Sequence, residues 1–308
     1  KNLADVEAAF FNHEWGKLGW CPGKSRVVRI GADARRKADE SPVWRDRNRL
    51  MVSPYHLSDR WLAEIHEDIA RFDPEFIHAY PSCAVELAKF IRRTERAKIP
   101  LRGLLLASEP LLRTNISLLQ SVFDCTISVN YGLTERTNIA FATVPPGQTD
   151  LHYRINPVYG YQENFQHEDG RSEIVGTSYW NTFMPLIRYR TGDFGEIAGH
   201  EIHNMDGRDQ EFLITRTGSR IPGLSIVIDE YTWAYVSQYQ IFQKNPGEIE
   251  IRVVLRTNCS PEILDKILAS QKGRWGGFFD ITLRTVPEIP RTRSGKNRLV
   301  VREFQTSS

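Results

Sequence analysis

Between residues 76 and 129 the chain alternates short, predominantly apolar runs with longer amphipathic ones. Residues 76–80, 104–106 and 126–129 read as strands. The stretches between them read as helices, one capped by Ser82 and running to about Arg96, the other covering 112–123. Such strands turn no polar face to water, so both faces must be covered, and a strand–helix–strand succession joins parallel neighbours. This one feature selects an α/β fold. Open parallel sheets bind ligands beyond the carboxyl ends of their strands. Three loops leave those ends, AYPS (79–82), ASEP (107–110) and NYGLTE (130–135), and they are expected side by side on one rim.

The flanking segments complete the outline. Residues 3–18 carry apolar positions at helical spacing, 25–30 read as a strand, and 31–48 as a polar surface loop. Residues 59–72 form a helix, with Ser58 able to cap it and Leu62, Ile65, Ile69 and Phe72 on one face. Beyond Asp150 short alternating strands and turns at Gly170, Gly176 and Gly192 suggest a small, mostly β subdomain. After Gly207-Arg208 the pattern resets to strand 248–255, helix 261–273 and strand 279–286, an α+β unit. Length agrees: 308 residues exceed what one core commonly serves, about 250–300. The expected division is a large α/β domain over 1–207 and a smaller α+β domain over 208–308.

Charge and cysteine content narrow the function classes. Forty basic against 38 acidic residues leave a formal charge of +2, which gives no reason to expect a nucleic-acid or membrane-surface partner. No window of 18 apolar residues could span a bilayer. Cys21, Cys83, Cys125 and Cys259 form no CxxC pair and lie at no zinc spacing, so reduced thiols in a cytoplasmic protein are expected.

Three motifs carry candidate chemistry, each with a plainer reading. NYGLTE places Tyr131, Thr134 and Glu135 at the rim. An aromatic ring, a hydroxyl and a carboxylate suit a purine base, a phosphate oxygen and a magnesium ion. An ordinary βα turn with a solvated Glu accounts for the same residues. YRTGD (189–193) ends in Asp193, whose carboxylate could accept both hydroxyls of a ribose, or could bond its own turn. PRTRSGKNR (290–298) could present Lys296 as a point charge on a mobile loop, or be a solvated basic tail. With five of nine residues not basic and no aromatic among them, it makes a poor nucleic-acid site.

Taken in order, ASEP, YGLTE, YRTGD, GRDQE (207–211) and PRTRSGK resemble the motifs of the adenylate-forming superfamily of acyl-CoA ligases. MPLIRYRTGD (184–193) and GRDQEFLITRTG (207–218) are similar to its phenylacetate–CoA ligase-like branch, which includes relatives linked to capsular polysaccharide biosynthesis. The resemblance covers nearly the whole chain. It implies ATP-dependent activation of a carboxylic acid to an acyl-adenylate, then transfer to coenzyme A, with an amine as the alternative acceptor.

The resemblance also assigns residues. Ser108, Glu109, Pro110 and Gly132 would line the nucleotide pocket with Tyr131 on the base. Thr134 and Glu135 would meet the phosphates and Mg2+, and Asp193 with Arg208 would hold the ribose. Lys296 would bridge the α-phosphate and the acid's carboxylate. Gln210 would be the hinge about which the small domain turns, where the family usually has Asp or Lys. His78 and Tyr80 would face the acid, with a packed or solvated histidine the plainer reading of His78. Members of the superfamily also carry a Ser/Thr/Gly-rich loop followed by lysine, which wraps the terminal phosphates of ATP, and no such run occurs here. In this branch that loop lies just before a helix like that of 3–18, and the chain begins at Lys1 rather than Met. The expectation is therefore an N-terminally truncated enzyme, or a relative that binds AMP or an adenylate without the phosphate loop.

Overall fold

The computed structural model describes residues 3–34, 40–54, 56–208, 212–218, 220–223, 226, 228–229, 232, 234–256, 261–291 and 298–304. They fall into two compact units, one reaching Met205 and the other beginning at Asp206.

A large mixed sheet runs through the first unit. Its strands are β1 (Val27–Ile30), β2 (Val43–Asp46), β3 (Arg49–Val52), β4 (Phe76–Ala79), β5 (Gly103–Ala107) and β6 (Thr126–Gly132). They continue as β7 (Ile139–Val144), β8 (Tyr153–Ile155), β9 (Gly160–Gln166), β10 (Ser172–Ser178), β11 (Tyr189–Ala198) and β12 (Glu201–Arg208). Their spatial order is β2-β3-β1-β4-β5-β6-β7-β8-β12-β11-β10-β9. From β3 to β6 neighbours run parallel, and β6 and β7 begin the antiparallel half.

Side-chain alternation sorts the parallel strands between two layers. Val28, Ile30, Ile77, Ala79, Leu104, Leu106, Ile127 and Val129 face helices α2 (Asp59–Phe72), α3 (Pro81–Arg93) and α4 (Arg113–Phe123). Val27, Phe76 and Leu105 face the opposite way, onto Phe11, Trp15 and Leu18 of the N-terminal segment, which opens with α1 (Leu3–Gly16). All five residues of β5 are buried, as its unbroken apolar run requires. Each such Leu or Ile contributes about 1.5–3 kcal/mol by leaving water.

Several local expectations give way to tertiary context. Residues 31–48 are not simply a loop, because β2 and β3 form an antiparallel hairpin whose turn places Arg47 at φ +55°. No Gly or Pro marks that turn, and Arg45, Asp46, Arg47 and Arg49 mask its strand character. Ser58 holds the N-cap position of α2 through its carbonyl, but its hydroxyl makes no capping bond. Ser82 does not cap α3; Tyr80 holds that position, with Pro81 opening the helix. Gly170 turns a hairpin at φ +82°, whereas Gly176 lies inside β10 and Gly192 inside β11.

In the second unit β13 (Phe212–Ile214) pairs with β14 (Arg220–Pro222). Strands β15 (Val236–Gln243), β16 (Glu248–Leu255), β17 (Asp280–Thr285) and β18 (Val300–Arg302) form a sheet in the order β17-β16-β15-β18. The helix α5 (Pro261–Trp275) sets Ile267 into a core with Ile241, Ile251, Phe279 and Val300. The two-stranded sheet β13-β14 and, in the four-stranded sheet, β15 and β18 escape local reading. Gln210 and Lys296 lie outside the described residues.

Candidate active site

The three rim loops leave adjacent parallel strands, and a hydrogen bond ties two of them together. Glu109 Oε2 accepts from the backbone amide of Ser82 at 2.9 Å. Pro81 has no amide to satisfy, so Ser82 supplies the first donor of α3, and the carboxylate caps it from 27 residues away. At the mouth of the same loop Ser108 stands at φ +71°, a left-handed conformation that an L residue adopts only where its surroundings insist. Ser108 and Pro110 are exposed and Glu109 partly buried, so this loop presents polar edges to solvent.

NYGLTE is half strand and half turn. Asn130, Tyr131 and Gly132 extend β6, and the chain then turns at Leu133, whose carbonyl accepts from Arg136 at 3.0 Å. Gly132 and Thr134 are exposed, and Tyr131 and Glu135 are partly buried. What holds the turn is its far side. Thr137 and Asn138 are buried, hydrogen-bonded to each other, and pressed against two strand glycines. A Cβ on Gly160 would meet the Thr137 carbonyl at 2.4 Å, and one on Gly176 would meet the Asn138 side chain at 1.8 Å. Only glycine fits at these approaches.

Strand β11 crosses to meet this turn. The YRTGD segment is not a free β-turn but an irregularity within β11. Arg190 pairs with Val175 and Phe194 with Glu173, so Thr191, Gly192 and Asp193 bulge. Gly192 takes φ +72° there, and its amide donates to Glu173 Oε1 at 2.9 Å. Thr191 Oγ1 donates to the Ile174 carbonyl and accepts from the Asp193 amide. The bulge aims Asp193 back at the rim. It is 7% exposed, and Tyr131 Oη donates to its Oδ2 at 3.0 Å. Tyr189, at the start of the same strand, donates from Oη to Glu135 Oε1 at 3.0 Å.

Beneath the bulge Glu173 is 3% exposed. Burial pushes its pKa up, but hydrogen bonds from Arg190, the Gly192 amide and His167 outweigh burial and hold it below the ordinary 4.5. Glu173 is a structural carboxylate, and it organises the strand that carries Asp193.

The structure therefore brings together Tyr131, Thr134, Glu135 and Asp193, with Ser108, Glu109, Pro110 and Gly132 on the neighbouring rim. It does not place His78 and Tyr80 in that group. Tyr80 is 4% exposed within the main core. His78 lies on the opposite sheet layer, its ring edge-on to Trp15 at 4.9 Å between centroids. Burial first and the Arg29 guanidinium second hold His78 well below its usual 6.5, so its imidazole is neutral at neutral pH. Arg208 ends β12, exposed, in the second unit. Tyr189 and Glu173 escaped sequence reading. Tyr189 stands in the quoted MPLIRYRTGD motif, but its partner is 54 residues away.

Among the described residues no three His, Cys, Asp or Glu converge as a metal cage. A magnesium ion needs none, since it is commonly bound through one or two carboxylates plus substrate phosphates. Glu135, with one oxygen held by Tyr189, fits that donor set. No helix among the described residues is long and apolar enough to cross a membrane.

Comparison with known proteins agrees with this architecture. Residues 213–303 match the CapK C-terminal domain family. The chain is 22% identical over 272 residues to Protein CapK of Staphylococcus aureus, covering 84% of this chain and 59% of that protein's length. In fold it is similar to a 2-hydroxyisobutyryl-CoA ligase solved in a post-adenylation state with 2-HIB-AMP. That match has a TM-score of 0.63 and 15% identity over 94% of this chain and 67% of the ligase. The anthranilate CoA ligase AuaEII, solved with anthranoyl-AMP, matches at TM-score 0.56 and 17% identity over 78% and 50%. The amide bond synthetase McbA from Marinactinospora thermotolerans matches at TM-score 0.54 and 17% identity over 75% and 53%. At these identities the likeness is one of fold, shared with these CoA ligases and the amide bond synthetase.

Proposed function

We propose that the protein activates a carboxylic acid with ATP, forming an acyl-adenylate and pyrophosphate, and passes the acyl group to the thiol of coenzyme A. The observation that carries this reading is the convergence of Tyr131, Glu135 and Asp193 at the carboxyl-end rim of a parallel sheet. A base against the Tyr131 ring places the ribose diol before Asp193, whose two oxygens can accept both hydroxyls. Arg208 keeps the role its motif gives it, at the ribose. The exposed Thr134 hydroxyl donates to a phosphate oxygen. Magnesium, held by Glu135, supplies charge neutralisation of the phosphates when bound. The acid's carboxylate oxygen then forms a bond to the α-phosphorus as the bond to pyrophosphate breaks. Lys296, outside the described residues, supplies the positive charge for that exchange. Such a step is governed by positioning and preorganised charge. A thiolate next attacks the acyl carbon and AMP leaves with the bonding pair.

We keep Ser108, Glu109, Pro110 and Gly132 as the pocket lining, Gln210 as the hinge, and residues 1–207 and 208–308 as the two working domains. His78 is assigned to substrate only through a neutral imidazole on the α1 side of the sheet. Tyr80 acts by packing.

Acid-dependent exchange of pyrophosphate into ATP tests the reading directly. Exchange by the 308-residue chain is expected with the right acid. AMP binding without any exchange would instead make this chain an adenylate-binding module. Lys296→Ala is expected to abolish exchange while leaving thioester formation from preformed adenylate. Equal loss of both half-reactions would remove the role given to Lys296.

A further inference from the structure

We propose that Tyr189 is a positioning residue for Glu135, fixing the carboxylate that the adenylation reading gives to magnesium and the phosphates. The inference rests on that reading and deepens it. Glu135 sits on a turn, partly exposed, at the end of a flexible side chain, and a carboxylate so placed would sample many orientations. Its backbone is held from below. Arg136 follows at φ +57° with its guanidinium 3.4 Å from Glu7, and Thr137 and Asn138 are clamped under Gly160 and Gly176. Tyr189 supplies the missing constraint on the side chain. It begins β11 in register with Gly176, and its phenol reaches Glu135 Oε1 at 3.0 Å.

The residue before it is anchored twice. The Arg188 amide donates to Thr177 Oγ1 at 3.0 Å, and its guanidinium donates to Glu163 at 2.8 Å. Arg188 itself stands at φ +51°, so the chain enters β11 by a route it does not take cheaply. A stiff ring on an anchored strand therefore holds one oxygen of Glu135 and restricts the orientations the carboxylate can take. The same strand sends Asp193 to Tyr131, so one element sets both carboxylates that the proposed nucleotide meets.

The test measures ATP affinity by calorimetry with and without Mg2+, and AMP affinity without metal. The unsubstituted chain, Tyr189→Phe, Glu135→Gln and the double variant are compared. Phenylalanine keeps the ring and removes only the donor. Tyr189→Phe is expected to weaken Mg2+-dependent ATP binding on the order of tenfold to a hundredfold, the range of a hydrogen bond to a charged group, with metal-free AMP binding unchanged. In the Glu135→Gln background the same substitution should add little, because its route of action is gone. Equal losses in both backgrounds, or Mg2+-dependent binding that Tyr189→Phe leaves intact, would overturn the assignment alone. Absence of Mg2+-dependent binding in the unsubstituted chain would overturn the adenylation reading as well. A thermal unfolding cycle on the same four proteins reports the contact without nucleotide. Additive shifts there would show that the two side chains are not coupled, and would also defeat the proposal.

Discussion

In the parallel half of the large sheet, β5 buries Gly103 through Ala107, and what it offers the rim is a loop. In the antiparallel half, β10 and β11 bury Glu173, Thr191 and Asp193 beside their apolar residues, and what they offer are aimed side chains. The first half is held by area removed from water, which is large and non-directional. The second is held by hydrogen bonds that each depend on a partner in place. A rim built on the first can tolerate change in its loops. A carboxylate aimed by the second cannot lose a neighbour without losing its aim.

The largest expected effect lies in the apolar half. Phe123 is fully buried among α4 and the parallel strands, and Phe123→Ala should lower global stability by about 3–5 kcal/mol in denaturant unfolding. Nucleotide affinity of the folded protein should change little. Gly160→Ala should reverse that ratio. Its new methyl would meet backbone oxygens of Thr137 at 2.4 Å and Thr177 at 2.8 Å, which no rotamer can move aside. A stability loss of about 1–3 kcal/mol is expected, with a greater loss of nucleotide binding than Phe123→Ala produces. If the two variants lose affinity equally, the division between the halves is false.

The smallest effect is confined to acid. Glu173 is held below 4.5, so its contribution is complete above that value and disappears as pH falls through the lower folded-state value. Unfolding measured from about pH 6 to about pH 3 should show Glu173→Gln losing less stability on acidification than the unsubstituted chain.

The same contrast explains what could be read from residues in order. Runs such as Leu104-Leu105-Leu106 announce themselves, because burial on both faces leaves one composition to choose from. The spacing of the rim motifs was legible for a related reason, since loops at strand ends follow from the strands. The β2–β3 hairpin was not, because Arg47 takes a positive φ without the Gly that would mark it. Local residues make Ser82 look like a cap because Glu109, the real partner of that helix end, stands in another loop. YRTGD looked like a turn because Gly192-Asp193 ordinarily is one. The bulge and its buried Glu173 exist only once β10 lies alongside. Local residues specify apolar layers well and long-range polar pairs hardly at all.

Glu109 carries one last consequence. Its carboxylate oxygen already serves the first amide of α3, and it stands in the loop expected to meet a purine. A ligand that draws this carboxylate away from the amide must overcome a helix end worth about 0.5–2 kcal/mol, an equilibrium factor of about two to thirty. A ligand that moves Glu109 at the rim would thus also loosen the first turn of α3.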